Sequence, residues 1–213
     1  MCVIRINVKR KTDEINEVVT YLVNTFEERM TLLEALKKIQ EKQEPTLGIR
    51  YGCRFKDCGL CAVKVNGKEK MACVTNAKNE MLVEPLDHVP IVQDLIVERS
   101  YITKMIRDLE LIPTVKEGEA SILVSDEYMA VVKCTDCQAC LSSSDIYSHE
   151  NRYQNAGPLF FVKLAQIYYH PRLDINYKEI AQKLGLHEYK NSPTIPCPYG
   201  VPINKLAISP FID

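Results

Sequence analysis

Cysteine is the residue type in this 213-residue chain that most directly indicates chemistry. Eight of the nine cysteines form two groups: Cys53, Cys58, Cys61 and Cys73, then Cys134, Cys137, Cys140 and Cys197. The amino terminus has no apolar core of the kind found in secretory signals. We therefore expect reduced thiols that bind metal or react, not a disulfide framework. Cys2 lies outside both groups and is expected to be a free thiol.

The first group has the spacing C-x4-C-x2-C-x11-C. Plant-type 2Fe-2S sites use C-x4-C-x2-C and a more distant fourth cysteine, because a tight loop can wrap three thiolates around a cluster. Gly52 and Gly59 stand where the backbone must bend closely around sulfide. A zinc site and a set of inert buried cysteines are the alternatives, but zinc sites favour short C-x2-C pairs. The spacing favours a 2Fe-2S cluster.

The second group begins with "CTDCQAC", residues 134–140, and ends at a remote Cys197-Pro198. In bacterial-type ferredoxins the run C-x2-C-x2-C-x3-C-P gives its fourth cysteine to the other cluster. The first three cysteines of one run are therefore completed by a Cys-Pro elsewhere. Together, the three clustered cysteines and Cys197 predict a ligand set for one 4Fe-4S cluster.

The elements that must position the first group form a mixed pattern of strands and helix. "VIRINV" alternates apolar and polar residues and predicts a half-buried strand, followed by a second around "EVVTYLV". "MTLLEALKKIQEK" predicts a helix, with Thr31 and Glu34 at capping-box spacing. Asn66-Gly67 favours a type I′ hairpin between two further strands. The pattern predicts a small sheet folded around one helix.

The second cysteine group lies in a region whose pattern is helical. Helices are predicted over residues 91–111, 159–170 and 175–184. Pro113 should stop the first helix, and Gly157-Pro158 should open the second. Asp174 is the expected N-cap of the third helix, and Gly185 its C-terminal stop. The cysteines would then lie in the loops of a helical domain.

Charge and hydropathy exclude several classes of function. Lys and Arg total 27 and Asp and Glu total 28, so no net charge draws the chain to nucleic acid. The most apolar stretches are about half of the roughly 20 residues that cross a bilayer, so no transmembrane segment is predicted. We find no nucleotide-binding glycine loop, nucleophile elbow or H-E-x-x-H helix. Bound cofactors, and not side chains, should carry the chemistry.

The segments "YGCRFKDCGLCAVKVNGKEKMAC", "CTDCQAC", "GPLFFVKLAQIYYHPRLD" and "CPYGVPINKL" together resemble the iron-sulfur subunit of succinate dehydrogenase and fumarate reductase complexes. The resemblance covers nearly the whole chain in the family's order. It implies an α+β fold, with an N-terminal β-grasp plant-type 2Fe-2S ferredoxin domain at 1–103. A helical bacterial-type ferredoxin domain would follow at 104–213.

The resemblance also implies cofactors. Cys53, Cys58, Cys61 and Cys73 would hold the 2Fe-2S cluster, and Cys134, Cys137, Cys140 and Cys197 the 4Fe-4S cluster. FAD would be bound only by a partner flavoprotein subunit, so the chain itself would be a non-catalytic electron carrier. The family's ligand positions for a 3Fe-4S cluster hold Ser144, His187 and Pro193 in this chain. No 3Fe-4S cluster is therefore expected.

Without that third cluster the family's usual exit to a quinone would be missing. We expect a second redox partner instead, one linked to thiols or a heterodisulfide. The same two-cluster relay serving a different dehydrogenase or a heterodisulfide reductase is an alternative. A structural zinc protein without a redox role is another. The expected location is the cytoplasm, with the chain soluble or held peripherally at a membrane through a complex.

Overall fold

The structure, a computed structural model, describes residues 2–12, 14–25, 29–116 and 123–212. The chain divides into two compact units, Met1–Glu98 and Arg99–Asp213. The first is rich in strands and the second in helices. In the part of the chain that is described, no helix is both long and apolar enough to cross a membrane.

A five-stranded sheet and one helix form most of the first unit. The elements are β1 (Cys2–Lys11), β2 (Asn16–Thr25), α1 (Leu32–Lys42), β3 (Ala62–Val65), β4 (Lys68–Met71) and β5 (Met81–Glu84). The sheet order is β2-β1-β5-β3-β4, and β1 pairs antiparallel with β2 and parallel with β5. Ile4, Ile6 and Val8 of β1 are buried, as their alternation predicted. The predicted first two strands, helix and hairpin are all present.

The helix α1 begins at the predicted capping box. The Glu34 backbone N–H donates to Thr31 Oγ1 at 3.2 Å, and the Thr31 N–H donates to Glu34 Oε2 at 2.7 Å. The capping box thus satisfies two of the N–H groups that lack partners within the helix. The helix then buries its apolar face, which comprises Leu32, Leu33, Ala35, Leu36 and Ile39. The capping box therefore determines where α1 begins, and the buried apolar residues determine which face of α1 packs against the core.

The single helix predicted over residues 91–111 is wrong in its first half. The structure has a hairpin there, β6 (Ile91–Gln93) and β7 (Ile96–Val97), and the helix α2 covers only Tyr101–Asp108. Asp94, at the hairpin turn, has a φ of 47° and is completely buried. Its carboxylate accepts hydrogen bonds from Arg10 Nε at 2.8 Å and the Gly48 N–H at 2.7 Å. These bonds require Asp94 to lie in a turn, so the chain cannot continue as a helix through this position.

Asp94 and Arg10 form the buried ionic centre of the first unit. The side chains are 0% and 3% exposed, and Arg10 also lies 3.0 Å from Glu44 Oε2 and 3.1 Å from Tyr21 Oη. Burial acts to lower the pKa of Arg10, but Asp94 and Tyr21 raise it above its ordinary value. The pair connects β1 to the hairpin and to the loop that follows α1.

Replacing Asp94 with Asn should destabilise the first unit by about 3 kcal/mol, because it removes the fully buried carboxylate and leaves Arg10 with only the more exposed Glu44 as a charged partner. Asp87→Asn makes the same chemical change in a side chain that is 46% exposed and paired with Lys64. We expect it to cost about 1 kcal/mol or less. Chemical denaturation of the two variants measures the difference. Equal losses of stability would contradict the role given to Asp94.

The second unit packs short helices around one longer helix. After α2 come β8 (Thr114–Val115), α3 (Asp126–Val131), α4 (Ala139–Ser142), α5 (Gly157–Tyr168), β9 (Leu173–Asp174) and α6 (Tyr177–Lys183). Helical turns follow at Leu186–Tyr189, Asn204–Ile208 and Ser209–Phe211. The strands β8 and β9 pair antiparallel. Most of α5 is buried, and the Tyr177 hydroxyl lies 3.0 Å from its Phe161 carbonyl oxygen.

The helix predicted over residues 159–170 is confirmed as α5, with Pro158 in its first turn. The predicted N-cap of α6 is wrong, because Asp174 belongs to β9 and the cap is Asn176, whose side chain accepts from the Glu179 N–H. Gly185 follows the end of α6 with a φ of 84°, as a left-handed C-terminal stop requires. The short helices α3 and α4 were not predicted.

Gly157 starts α5 at a crowded position. Its φ is 79°, and an added Cβ would lie 2.5 Å from Tyr147 Cδ2 and 2.8 Å from Leu141 Cδ2. Gly67 has a φ of 76° with no heavy atom within 4 Å of such a Cβ. Gly157→Ala should therefore cost about 1–3 kcal/mol more than Gly67→Ala, since only the former adds overpacking to backbone strain. Unfolding followed by circular dichroism tests this, and equal costs would contradict it.

Candidate metal centres

The first cysteine group gathers at one end of the sheet. Cys53 and Cys58 are half-buried in the loop between α1 and β3, while Cys61 and Cys73 are buried. Cys61 immediately precedes β3, and Cys73 follows β4. The Ala72 N–H donates to the Cys61 carbonyl at 3.0 Å, which places the two buried cysteines on neighbouring chain segments. The sheet thus supplies two thiols and the loop the other two.

The loop turns its backbone N–H groups toward sulfur. Arg54, Lys56 and Gly59 have φ values of 67°, 61° and 69°, which bend the chain back repeatedly. The resulting contacts join Asp57 N to Cys53 Sγ (3.1 Å), Cys58 N to Cys53 Sγ (3.3 Å) and Lys56 N to Cys73 Sγ (3.3 Å). The last contact ties the loop to the thiol beside the sheet. N–H groups in this arrangement stabilise negative charge on sulfur.

The environments of the first four thiols differ. Burial acts to raise the pKa of Cys53, but backbone hydrogen bonds from Phe55, Asp57 and Cys58 lower it to about 7. Burial raises the pKa of Cys61 to about 12. A side chain at Gly52 would place its Cβ 3.2 Å from Cys58 Sγ, so the small residue leaves room for that thiol.

The first turn of α1 positions the segment that carries Cys73. The N–H groups of Leu32 and Leu33 donate to the carbonyls of Thr75 (2.7 Å) and Ala72 (3.0 Å). Helix N-termini leave such donors without partners inside the helix. The helix therefore holds the chain on both sides of Cys73 by direct hydrogen bonds.

The second cysteine group surrounds one cavity. Its lining comprises Cys134, Thr135, Cys137, Gln138, Cys140, Leu159, Val162, Cys197, Pro198, Tyr199, Val201 and Ile203. Cys137 and Cys140 are buried, and the other two cysteines are half-buried. The structure thus brings the remote Cys197 to the three clustered cysteines, with α5 forming an apolar wall beside them.

The loop from Cys134 to Cys140 contains two left-handed residues, Asp136 and Gln138, with φ values of 56° and 65°. Burial raises the pKa of Cys134 to about 12, while the Asp136 backbone N–H and the positive charge of Lys163 act to lower it. Burial also raises the pKa of Cys140 well above its ordinary value. Four thiols in so apolar a setting would be stabilised as thiolates by bound metal.

Two cations near this cavity were missed from the sequence. Lys163 Nζ lies 2.5 Å from Asp136 Oδ1, and the Arg99 guanidinium donates to the Asp136 carbonyl. Neither cation lies close to the cysteine run in sequence. One signal was available, because Lys163 is the single charged residue in the apolar stretch "LFFVKLAQIYY".

Both donor sets suit iron-sulfur clusters. Thiolate sulfur is the usual protein ligand of such clusters, and each group supplies four. Within the described residues, no three His, Cys, Asp or Glu side chains come close enough to hold a single metal ion. A 2Fe-2S cluster with four cysteines takes two per iron, and a 4Fe-4S cluster takes one per iron. Neither needs three protein ligands on one ion.

The three residues at the family's 3Fe-4S ligand positions lie in different environments. Ser144 is buried beside Tyr189, whereas His187 and Pro193 are exposed. Burial raises the pKa of Tyr189 to about 12, and hydrogen bonds with Ser144 and Asn155 act to lower it. The Tyr189 hydroxyl donates to Asn155 Oδ1 at 3.0 Å. Ser144 is thus part of a buried polar network.

Comparisons with known proteins agree with this arrangement. Residues 1–104 match the family described as a 2Fe-2S iron-sulfur cluster binding domain. The chain is 30% identical over 148 residues to one of the subunits of the fumarate reductase (CoM/CoB) of Methanothermobacter marburgensis, covering 68% of this chain and 30% of that protein. It is 38% identical over 128 residues to the Haemophilus influenzae fumarate reductase iron-sulfur subunit, covering 57% and 48%. For the Paracoccus denitrificans succinate dehydrogenase iron-sulfur subunit, the identity is 30% over 145 residues, covering 64% and 56%.

The chain is homologous to the iron-sulfur subunits of succinate dehydrogenase and fumarate reductase. This iron-sulfur subunit homologue spans between 30% and 56% of the length of those three relatives. A chain of the Mycobacterium smegmatis Sdh1 complex in the apo form has a similar structure, with a TM-score of 0.84 and 24% identity. The match covers 98% of this chain and 93% of that one, and it concerns the fold. The predicted α+β class, with a strand-rich 2Fe-2S ferredoxin domain followed by a helical domain, is confirmed.

Cysteine substitutions should separate the two groups. We expect Cys73→Ser to remove the 2Fe-2S signal and Cys197→Ser the 4Fe-4S signal, each leaving the other intact, because the two ligand sets share no residue. Cys2→Ser, at an exposed position outside both groups, should change neither signal. EPR spectra of the reduced proteins measure both. Loss of both signals in Cys2→Ser would contradict the assignment. Retention of both signals in Cys73→Ser and in Cys197→Ser would contradict it as well.

Proposed function

We propose that this homologue is the electron-transfer subunit of a succinate dehydrogenase or fumarate reductase type complex. It relays electrons between a FAD-containing flavoprotein subunit and a second redox partner, through one 2Fe-2S and one 4Fe-4S cluster. The observation that carries this proposal is the meeting of Cys134, Cys137, Cys140 and Cys197 around one cavity. A cavity lined by four thiols suits a cluster, and the first unit contains a 2Fe-2S binding domain. Substrate would be converted on the flavoprotein and not on this chain.

Each ligand set would be held in its own way. Cys53, Cys58, Cys61 and Cys73 would bind the 2Fe-2S cluster in a loop that presents backbone N–H groups to sulfur. Cys134, Cys137, Cys140 and Cys197 would bind the 4Fe-4S cluster beside the apolar residues Leu159 and Val162. When bound, the clusters supply one-electron transfer, at potentials set by hydrogen bonds to sulfur, net charge and solvent exposure. The chain itself fixes the positions of the thiols, and it buries two of the four in each set.

The proposal includes no 3Fe-4S cluster. Ser144 is buried in hydrogen-bonding contact with Tyr189, and Pro193 has no side-chain donor for a metal. His187 is exposed. The packing around Ser144 supports a polar core at the position where the family would place a cluster ligand. The electron path within this chain would then end at the 4Fe-4S cluster.

For the second redox partner we propose a protein linked to thiols or a heterodisulfide. Support comes from the Methanothermobacter relative, whose name joins fumarate reductase with CoM/CoB. A two-cluster relay attached to a different dehydrogenase or a heterodisulfide reductase is the second candidate, because the two cysteine sets would hold the same clusters whichever flavoprotein the chain served. Mass spectrometry of the purified complex identifies the partners. A quinone-binding membrane subunit in the complex would contradict the proposed partner. The cytoplasmic or peripheral location stays a prediction.

Chemical analysis tests the cluster content directly. Anaerobically purified protein should contain about six iron and about six acid-labile sulfide per chain, the sum of one 2Fe-2S and one 4Fe-4S cluster. EPR of the reduced protein should show two signals. A colourless protein with zinc and no sulfide would support the structural zinc alternative instead. A 3Fe-4S signal in undamaged protein would contradict the two-cluster count.

A further inference from the structure

The cavity lined by the second cysteine group is mostly apolar, yet an ion pair lies at its edge. Lys163 follows Val162, a lining residue of α5, and its ammonium lies 2.5 Å from the Asp136 carboxylate. The Lys163 side chain is only 20% exposed, whereas that of Asp136 is 50% exposed. A lysine at the edge of a buried site gives up hydration, so its position needs a specific partner.

Asp136 is in direct contact with the first thiol of the group. Its carboxylate Oδ1 lies 3.6 Å from Cys134 Sγ. The same Oδ1 atom contacts Lys163 Nζ, so one carboxylate oxygen lies between the thiol and the ammonium. The Arg99 guanidinium contacts the carbonyl of the same residue. Two cations therefore contact the loop between Cys134 and Cys137, both through Asp136.

These charges have opposite effects on an electron added nearby. A positive charge a few ångströms from a cluster favours the reduced form, which carries one more negative charge, and a carboxylate favours the oxidised form. Because Lys163 and Asp136 neutralise each other, removing either one exposes the full charge of the other. An ion pair with almost no net charge therefore lies at a place where a single charge would shift the reduction equilibrium.

We propose that Lys163 and Asp136 act in opposite directions on the reduction equilibrium of the cluster held by Cys134, Cys137, Cys140 and Cys197, so that Lys163 offsets the carboxylate that lies beside Cys134. This inference rests on the proposed function, since it requires that cluster. In the step concerned, one electron enters the cluster from the flavoprotein, or from a chemical reductant in the test, and no bond is made or broken. Lys163 is a positioning residue, which acts through Asp136 and through its charge.

The test compares variants whose charge changes have opposite signs. Lys163→Met should lower the ratio of reduced to oxidised cluster at a fixed potential by about threefold to tenfold, and Asp136→Asn should raise it by a similar factor. A tenfold change corresponds to about 59 mV for a one-electron couple. Asn tolerates the left-handed backbone at position 136, so the second variant keeps the loop conformation. The double variant should return close to the wild-type value, because neither charge remains.

Matched controls isolate the charge effect. Lys183→Met makes the same substitution at a side chain that is 71% exposed and pairs with Glu179 at 2.6 Å, and it should leave the equilibrium unchanged. Lys163→Arg keeps the charge and should give a ratio within about twofold of wild type, or about 18 mV by the same conversion. Potentiometric titration followed by EPR at constant pH gives all these ratios. The 2Fe-2S signal of the same sample serves as an internal reference.

The outcomes separate this inference from the function on which it rests. Wild-type protein without a 4Fe-4S signal would overturn the proposed function. If the wild-type signal is present, equal shifts in the same direction for Lys163→Met and Asp136→Asn would overturn the inference, because a purely structural role predicts them. A Lys163→Met variant that loses its cluster while Lys163→Arg also fails to recover it would overturn it too. Opposite shifts that cancel in the double variant would support it.

Discussion

Backbone N–H groups directed at sulfur are the constraint on which the first unit depends. A chain can present several of these donors to one thiol only by turning back sharply, and the loop does so at Arg54, Lys56 and Gly59. Two of the three are not glycine, so the surroundings must offset the cost of left-handed backbone. The sheet, the first turn of α1 and the segment before Cys73 supply the fixed frame for that loop. The β-grasp fold thus holds the cysteine loop in its left-handed backbone conformation.

In the second unit the thiols come from distant parts of the chain, so packing between elements must bring them together. The helix α5 is the common element: Leu159 and Val162 face the cavity, and Gln166 Nε2 donates to the Val131 carbonyl of α3 at 2.9 Å. Tyr177 of α6 is hydrogen-bonded to the α5 backbone at Phe161. Burial of α5 therefore brings together the loop after α3 and the segment that contains Cys197.

The sequence was sufficient for the parts of the fold with a single strong signal. The alternation in β1, the capping box of α1, the Asn66-Gly67 hairpin and the cysteine spacing each point to one arrangement. The hairpin at residues 91–97 was missed because its apolar residues also recur at helical intervals. What fixes the turn there is the burial of Asp94 against Arg10, which are distant in the sequence. The helix α3 did have a signal that was overlooked, with Ser125 as its N-cap before Asp126 and Glu127.

The cavity in the second unit illustrates the same limit. Pairing the three clustered cysteines with Cys197 was possible because spacing alone carries that information. The neighbours of the thiols were not accessible in this way, since the contact of Lys163 with Asp136 depends on how α5 packs beside the loop. Periodicity identifies a buried helix but does not fix its rotation to within one side chain. The charges that surround the thiols are therefore determined by tertiary packing and not by local sequence.

The chain positions of the two cysteine groups also impose an order in time. A ribosome that has released residue 73 has already supplied all four thiols of the first group, and α1 that supports them. The second group stays incomplete until residue 197 emerges, long after its first three members. The free-energy cost of closing this longer loop is only slightly larger than that of a short loop, because the entropy lost on closure grows with the logarithm of loop length. Cys134, Cys137 and Cys140 are therefore synthesised well before the fourth thiol that lines their cavity.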